Sequence, residues 1–524
     1  MTISEMVARN ARMYPNKVAL VERVPSKKLR VQATWKEFDE RVNRIANALN
    51  NRGVGKGDMV VHWMMNSTTW LEVYFGIIRI GAIVVPLNFR FNDKDFKYCV
   101  DVTEPKAAIV DAEFVDRVRA SEALPSIRNT CLVNGGPAAN DMEDLEAMIA
   151  QSPSEPFHVS IEPQDPCGLY FTSGTTGVPK PILLTHHNME HAAIIEVIHK
   201  LREPGDVFAI LKPLYHTGDF IHWLSSLILG ERAVIQSDKI TPQAIFEVME
   251  KEKCTVVMLL VPWLQDILTE LERGTLKKEE YDLSHWRLVM YGAQSVPPNL
   301  MTKWKQEFPD MLFDENYGLT EGTGPQSLHL GIENPQKVGS IGKPGFNWEA
   351  RLVDDFGNDV PQGEIGEIII RGNGVMREYY KNPEKTAETI KDGWLYTGDL
   401  AKIDEDGFYW IVDRKKDLII CGGENVYPSE VEEVIQTHPK VHDVGVIGLP
   451  DDRLGEIVAA VIKLKPNVPE SAETEQELFK FFEENLPRYK RPRRIIFDEV
   501  LRNPTGKIEK VKMRPKYAGL QKAT

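Results

Sequence analysis

Nine residues, TSGTTGVPK (Thr172–Lys180), crowd a serine, three threonines and two glycines ahead of a single lysine, with apolar runs on both sides. Glycines let backbone N–H groups approach phosphate oxygens, hydroxyls add donors, and a terminal cation neutralises charge, so the chemistry on offer is phosphate binding. A Walker-type loop needs adjacent Gly and Lys and a helix after them. Here Pro179 precedes Lys180, and the flanks CGLYF and PILLTH both read as strands, so the loop joins strand to strand. Alone, it also reads as a polar hairpin turn. NYGLTEG (Asn316–Gly322) sets the hydroxyl of Thr320 and the carboxylate of Glu321 directly after a tight turn. In isolation that equally describes a helix N-cap with an acidic first turn. YTGDL brings Asp399 just after a glycine, Arg414 follows an apolar strand, and NPTGKI offers Lys507 on a Pro/Gly turn. Taken singly, these are a turn aspartate and a solvated lysine.

The elements that must position these residues show in the apolar pattern. FDERVNRIANALNNRG reads as an amphipathic helix with a glycine stop, DMVVHWM as a strand, WLEVYFGIIRIG as a helix and AIVVPLN as a strand. CTVVMLLVP and WRLVMYGA continue the series. Alternation of this kind from about 40 to 350 implies βα units and a mainly parallel sheet covered by helices. Near 350, EARLVDDFGNDVPQGEIGEIIIRG reads as strand, turn, strand, a small antiparallel unit. Charged residues 413–417 then separate two apolar strands as a solvated hinge. Ser429 and Glu432 make a capping box for a helix whose Val431, Val434 and Ile435 face inward. DVGVIGL, EIVAAVIKL, EQELFKFFEENL and RRIIFDEV follow as strand, strand, helix, strand. The expected division is a large domain, 1–415, and a smaller α+β domain, 416–524, with the hinge near Lys416.

A chain of 524 residues exceeds one compact domain, and 42% apolar residues suffice for ordinary cores. The net charge of −14 argues against a nucleic-acid partner, which needs a basic surface, but not against small anions held by local groups. Five cysteines form neither a CxxC pair nor a metal-ligand spacing with histidine, which fits a reducing compartment. The first residues, MTISEMVARNARMYPNK, carry no signal-type apolar core; Ile3, Met6, Val7 and Met13 read as one side of a helix. The longest apolar run, TVVMLLVPWL, is about half of what crosses a bilayer. A soluble, cytoplasmic protein with no integral membrane segment is expected.

In this order and at these separations, TSGTTGVPK, YGLTE, YTGDL, DRKKDLIICGGENVYPSEVE and PTGKI resemble the adenylate-forming superfamily over essentially the whole chain. That superfamily includes acyl-CoA synthetases, firefly luciferase and the adenylation domains of peptide synthetases. The resemblance implies a large domain of helix-covered, mainly parallel sheets with a small β-barrel-like subdomain, and a mobile C-terminal α+β domain. It also implies two half-reactions. A carboxylate attacks the α-phosphorus of ATP to give an acyl-adenylate and pyrophosphate, and a thiol, usually that of coenzyme A, then displaces AMP. Because a carboxylate is already ionised at neutral pH, the first step needs positioning and charge stabilisation rather than a base.

By this similarity Thr172, Ser173, Gly174, Thr175, Thr176, Gly177 and Lys180 would hold the β- and γ-phosphates, and Glu321 would hold Mg²⁺, with Thr320 on the α-phosphate. Gly292, Ala293, Asn316 and Tyr317 would line the adenine slot. Asp399 would accept the ribose hydroxyls and Arg414 would contact ribose or phosphate. Lys507 would bridge carboxylate and α-phosphate, then withdraw as the terminal domain turns about Lys416 and brings Cys421–Asn425, with Gly422 and Gly423, toward the pantetheine tunnel. Arg488, Lys490, Arg491, Arg493 and Arg494 offer a basic cluster for CoA phosphates, or simply a solvated face. Pro181, Gln294 and Cys421 depart from the common family pattern without removing a charge the chemistry needs.

PLYHTGDFIHW matches the family's gate region, with His216 as the gate and Trp223 either a pocket wall or a core residue. Members that activate amino acids carry a carboxylate where Thr217 stands, so an amino acid is disfavoured, while Asp219 leaves a betaine- or carnitine-type acid open. A medium-chain, alicyclic or aromatic acid with free CoA as acceptor is the expectation. A stand-alone enzyme loading a carrier protein is the near alternative, and a non-catalytic nucleotide-binding sensor the reading from another class. A homo-oligomer remains open.

Overall fold

A computed structural model describes the chain except residues 128–129, 137–141, 173–178, 293–297, 331–333, 504–505 and 519–524. Among the described residues the strands form four sheets. In the nine-stranded sheet, Val18–Val24, Arg232–Gln236, Val207–Ile210, Val256–Leu260, Leu288–Gly292 and Leu312–Leu319 run parallel as neighbours, with antiparallel strands at both edges. The eight-stranded sheet has the parallel strands Met59–Trp63, Ile83–Pro86, Ala107–Asp111 and Thr130–Asn134, together with Pro166–Thr172, and the antiparallel pair Lys180–Thr185 and Glu378–Tyr379. The central strands are buried along their whole length, as parallel strands covered on both faces must be. The unit near 350 is a curled antiparallel sheet built on Trp348–Val353, Gly366–Gly372, Trp394–Ile403 and Tyr409–Arg414.

The last hundred residues build a separate sheet on Val441–Asp451 and Gly455–Leu464, with helices Pro428–Gln436, Ala472–Asn485 and Lys510–Ala518. Its apolar side chains make two cores of their own, one around Val446, Val458 and Phe482 and the other around Ile447, Val461 and Met513. A unit with its own cores can move against the rest without exposing the larger cores. Every strand and helix expected from the apolar pattern is present, including the two strands that flank the Gly/Thr loop, where Thr172 pairs with Lys180.

Several local expectations are corrected. Met13 is 54% exposed, and the helix Ile3–Met13 instead turns Asn10 inward, where its amide donates to the carbonyl of Leu227 at 2.7 Å. The capping box is absent: Pro428 begins the helix, Tyr427 precedes it, and no side chain caps it locally. The N–H of Ser429 donates to Asp413 Oδ2 at 2.7 Å, so a carboxylate from across the 413–417 segment supplies the anion that a helix start favours. Glu432 is employed elsewhere, accepting from the N–H of Val446 at 2.7 Å and pairing with Lys510 at 2.9 Å. Ser429→Ala should therefore change stability by less than about 0.5 kcal/mol, where loss of a true N-cap costs about 1 kcal/mol; a thermal melt decides. The 413–417 segment is only half solvated, since Asp413 and Asp417 are buried while Lys415 and Lys416 are exposed. Trp223 is fully buried, edge-on to Phe75 at 5.8 Å, and belongs to the core rather than to a pocket wall.

Candidate active site

Parallel neighbours Leu288–Gly292 and Leu312–Leu319 place Gly292 beside Asn316, and a Cβ at residue 292 would lie 2.5 Å from the Asn316 carbonyl oxygen. Only glycine permits that approach. The strand then ends in a single turn of 3₁₀ helix, Thr320–Gly322, rather than following a tight turn as the sequence suggests. Asn316 donates to the Tyr291 carbonyl at 3.2 Å, while its buried Oδ1 has no partner among the described residues, an acceptor suited to an amine donor.

From the curled sheet, Asp399 and Arg414 face each other in register, with Arg414 Nε 3.3 Å from Asp399 Oδ1. The Tyr317 hydroxyl donates to Asp399 Oδ2 at 2.7 Å. Burial, and next the charge of Asp399, push the Tyr317 phenol well above its ordinary pKa, so it stays a donor. Asp399 is thus held from both sides as an oriented carboxylate.

Lys507 arrives from the terminal domain, on a turn closed by the Asn503 side chain, which accepts its N–H at 2.9 Å. The neighbouring Gly506 lies over Leu260 and Pro262 of the large domain. Asn316, Tyr317, Asp399, Arg414 and Lys507 line one cleft of about 1140 Å³ between the two units. Burial, then the charge of Arg414, lower the Lys507 ammonium to about 7, with Asp399 opposing. The lysine that reads as solvated in isolation is therefore partly withdrawn from water, at the edge of this cleft. His216 is half-buried, and its desolvation, followed by Lys212 and Lys507, lowers it to about 4. Its Nδ1 accepts the N–H of Gly218 at 3.0 Å, so it is a neutral imidazole with the proton on Nε2.

A second cluster surrounds Glu321. The hydroxyl of Tyr379 donates to Glu321 Oε1 at 2.8 Å, and Lys180 Nζ lies 5.4 Å from the centre of the Tyr379 ring. Burial lowers the Lys180 ammonium, with Glu321 opposing. Thr320 and Thr217 share a hydroxyl–hydroxyl contact of 3.3 Å, both side chains buried. Among the described residues no group of three His, Cys, Asp or Glu side chains could hold a metal. One carboxylate with hydroxyls nearby suits Mg²⁺, which takes one or two carboxylates and completes its shell with water and substrate phosphates.

Not all the expected residues meet. Ser173, Gly174, Thr175, Thr176, Gly177 and Ala293 lie outside the described residues. Gly422 and Gly423 have φ of 62° and 87° in the turn between Ile419–Cys421 and Glu424–Val426, and they do not line the cleft. In the basic cluster, Lys490 pairs with Glu430 and Arg491 donates to the carbonyls of Leu486 and Glu483, which occupies both within the terminal domain. Tyr379 is the residue that sequence reading missed. It lies in REYYKNP, and nothing in the spacing to Glu321, 58 positions away, signals the bond.

The family model for AMP-binding enzymes matches residues 7–380, and that for the AMP-binding enzyme C-terminal domain matches residues 430–507. The chain belongs to the AMP-binding enzyme family. It is 32% identical over 514 residues to a feruloyl-CoA synthase of Amycolatopsis sp, covering 97% of this chain and 98% of that one. It is 30% identical over 520 residues to an indoleacetate–CoA ligase of Aromatoleum aromaticum, covering 98% of each. Its structure is similar to that of the anthranilate CoA ligase AuaEII in complex with anthranoyl-AMP, with a TM-score of 0.88, 27% identity and coverage of 98% and 97%. The fold class and the acid–thiol ligase class expected for this AMP-binding enzyme are borne out by these relatives. Among the described residues no helix is long and apolar enough to cross a membrane, and all five cysteines are buried.

Proposed function

We propose that this enzyme is an AMP-forming acid–CoA ligase for a medium-chain, alicyclic or aromatic carboxylic acid. The observation that carries the reading is the convergence of Tyr317, Asp399 and Arg414 with Lys507 in one interdomain cleft. Asp399, fixed by Tyr317 and Arg414, accepts the ribose hydroxyls of ATP, and Asn316 Oδ1 accepts the adenine amine. Thr172, Lys180 and the loop between them hold the β- and γ-phosphates, and Thr320 contacts the α-phosphate. Glu321 is the residue to hold Mg²⁺, which supplies charge neutralisation to the phosphates when bound. Lys507 neutralises the acid carboxylate and the α-phosphate as they meet, the kind of charge stabilisation that dominates such steps. His216, neutral, gates the acyl side; Thr217 supplies no carboxylate to pair a substrate ammonium.

The domain boundary in this reading lies at 415/416. Asp413 then caps the terminal domain's helix through Ser429, and Lys416 is the hinge about which that domain turns. Turning withdraws Lys507 and carries Gly422 and Gly423 toward the incoming CoA thiol. A panel of aromatic, alicyclic and medium-chain acids with ATP, Mg²⁺ and CoA, scored by AMP release, tests the reaction. Pyrophosphate exchange without CoA consumption would favour a carrier loader instead, and neither activity with any acid would overturn the ligase reading.

A further inference from the structure

The segment 376–380 ties the two halves of the phosphate site together. Its backbone reaches the turn of Glu321, where the Met376 N–H donates to the Glu321 carbonyl at 2.7 Å. It also reaches the far strand of the phosphate hairpin, where the N–H groups of Arg377 and Tyr380 donate to the carbonyls of Leu183 at 3.0 Å and Pro181 at 2.9 Å. Glu378 and Tyr379 pair with Leu183 and Ile182 as an added strand. Tyr379 itself is 4% exposed, its N–H held by the Thr386 hydroxyl at 3.0 Å. From this fixed backbone its hydroxyl reaches Glu321 Oε1 at 2.8 Å, and its ring stands 5.4 Å from the Lys180 ammonium.

A glutamate has three rotatable side-chain torsions, and a carboxylate that must meet a metal on one edge gains from a donor fixing the other. A lysine is a flexible point charge that an aromatic face can confine. We propose that Tyr379 is a positioning residue: it orients the Glu321 carboxylate through its hydroxyl and confines Lys180 with its ring, so that metal and triphosphate meet a preset anion and cation. This rests on the reading of Glu321 as the magnesium ligand.

The test is Tyr379→Phe, which keeps the ring over Lys180 and removes only the hydroxyl. Mn²⁺ binding to the full-length enzyme, followed by its EPR signal in the presence of α,β-methylene-ATP, should weaken by roughly 10-fold, the lower end of the usual cost of losing a partner behind a metal ligand. Binding of the same nucleotide in EDTA should be unchanged. The Mg²⁺ concentration giving half-maximal pyrophosphate exchange should rise by the same factor, a quantity that a mere loss of folded enzyme would not move. Glu321→Gln is the companion. If it weakens Mn²⁺ binding while Tyr379→Phe binds as the wild type does, the positioning role is overturned and the magnesium reading stands. If Glu321→Gln also binds as the wild type does, the magnesium reading fails and the proposal falls with it.

Discussion

Lys507→Ala is expected to slow adenylation by roughly 10²–10³-fold, the scale for losing one preorganised charge partner of a transition state. Pyrophosphate exchange with a good acid measures that step. Thioester formation from pre-made acyl-adenylate should fall far less, because the proposed turn about Lys416 withdraws the lysine before CoA attacks. Equal loss in both half-reactions would mean that Lys507 acts through folding instead. The same residue sets a pH dependence. In the free enzyme, burial and the nearby Arg414 hold its ammonium near 7, against 10.5 ordinarily, so the charged form is abundant below 7 and depleted above it. The bridging role needs the charged form, and kcat/KM reports the free enzyme. Hence kcat/KM for adenylation should decline as pH rises through about 7, and that limb should be missing from the residual activity of Lys507→Ala. Anionic substrates raise the pKa on binding, so the decline in kcat should lie at higher pH.

Asp399→Asn is the second large effect. Its carboxylate is held by the Tyr317 hydroxyl at 2.7 Å and faces Arg414 at 3.3 Å, which leaves an oriented anion in the cleft. Two hydroxyls donating to a charged acceptor contribute about 3 kcal/mol net between them, and asparagine keeps the shape while losing the charge. Affinity for ATP, read by calorimetry, should drop by about 10²-fold, with little change in KM for the acid. Unchanged ATP affinity would remove Asp399 from the nucleotide site. Smaller losses are expected for Tyr317→Phe, which only frees the carboxylate to rotate.

Much of this site was legible because its parts are short-range. The hairpin carrying Thr172 and Lys180 follows from two apolar runs about a Gly/Thr loop, whereas the strand Leu312–Leu319, with its Asp, Glu, Asn and Gly, gives no such signal and reads as a turn. Asp399 and Arg414 are each candidates from local sequence, yet their direct pairing across Trp394–Ile403 and Tyr409–Arg414 depends on strand register. The helix start at Pro428 is hidden from the sequence for a related reason. Ser429 and Glu432 have the spacing of a local cap, but Asp413 and Lys510 compete for them from outside the helix and win. Tyr379 escaped notice because its partner lies on another strand pair altogether.

Asp314 and Glu315 divide the two kinds of information. Along the chain they are two adjacent carboxylates in LFDENYGL, a stretch whose residue types announce neither a strand nor burial. Only the tertiary structure decided that Asp314 meets a fully buried Lys200, while burial pushes Glu315 up to about 8 and keeps it neutral. The same holds for Lys507, an ordinary turn lysine in the chain and, in the cleft, a half-buried ammonium lowered to about 7. Strand and turn preferences are settled by neighbours along the backbone, whereas the charge a group carries is settled by which partners and how much water the assembled fold leaves around it.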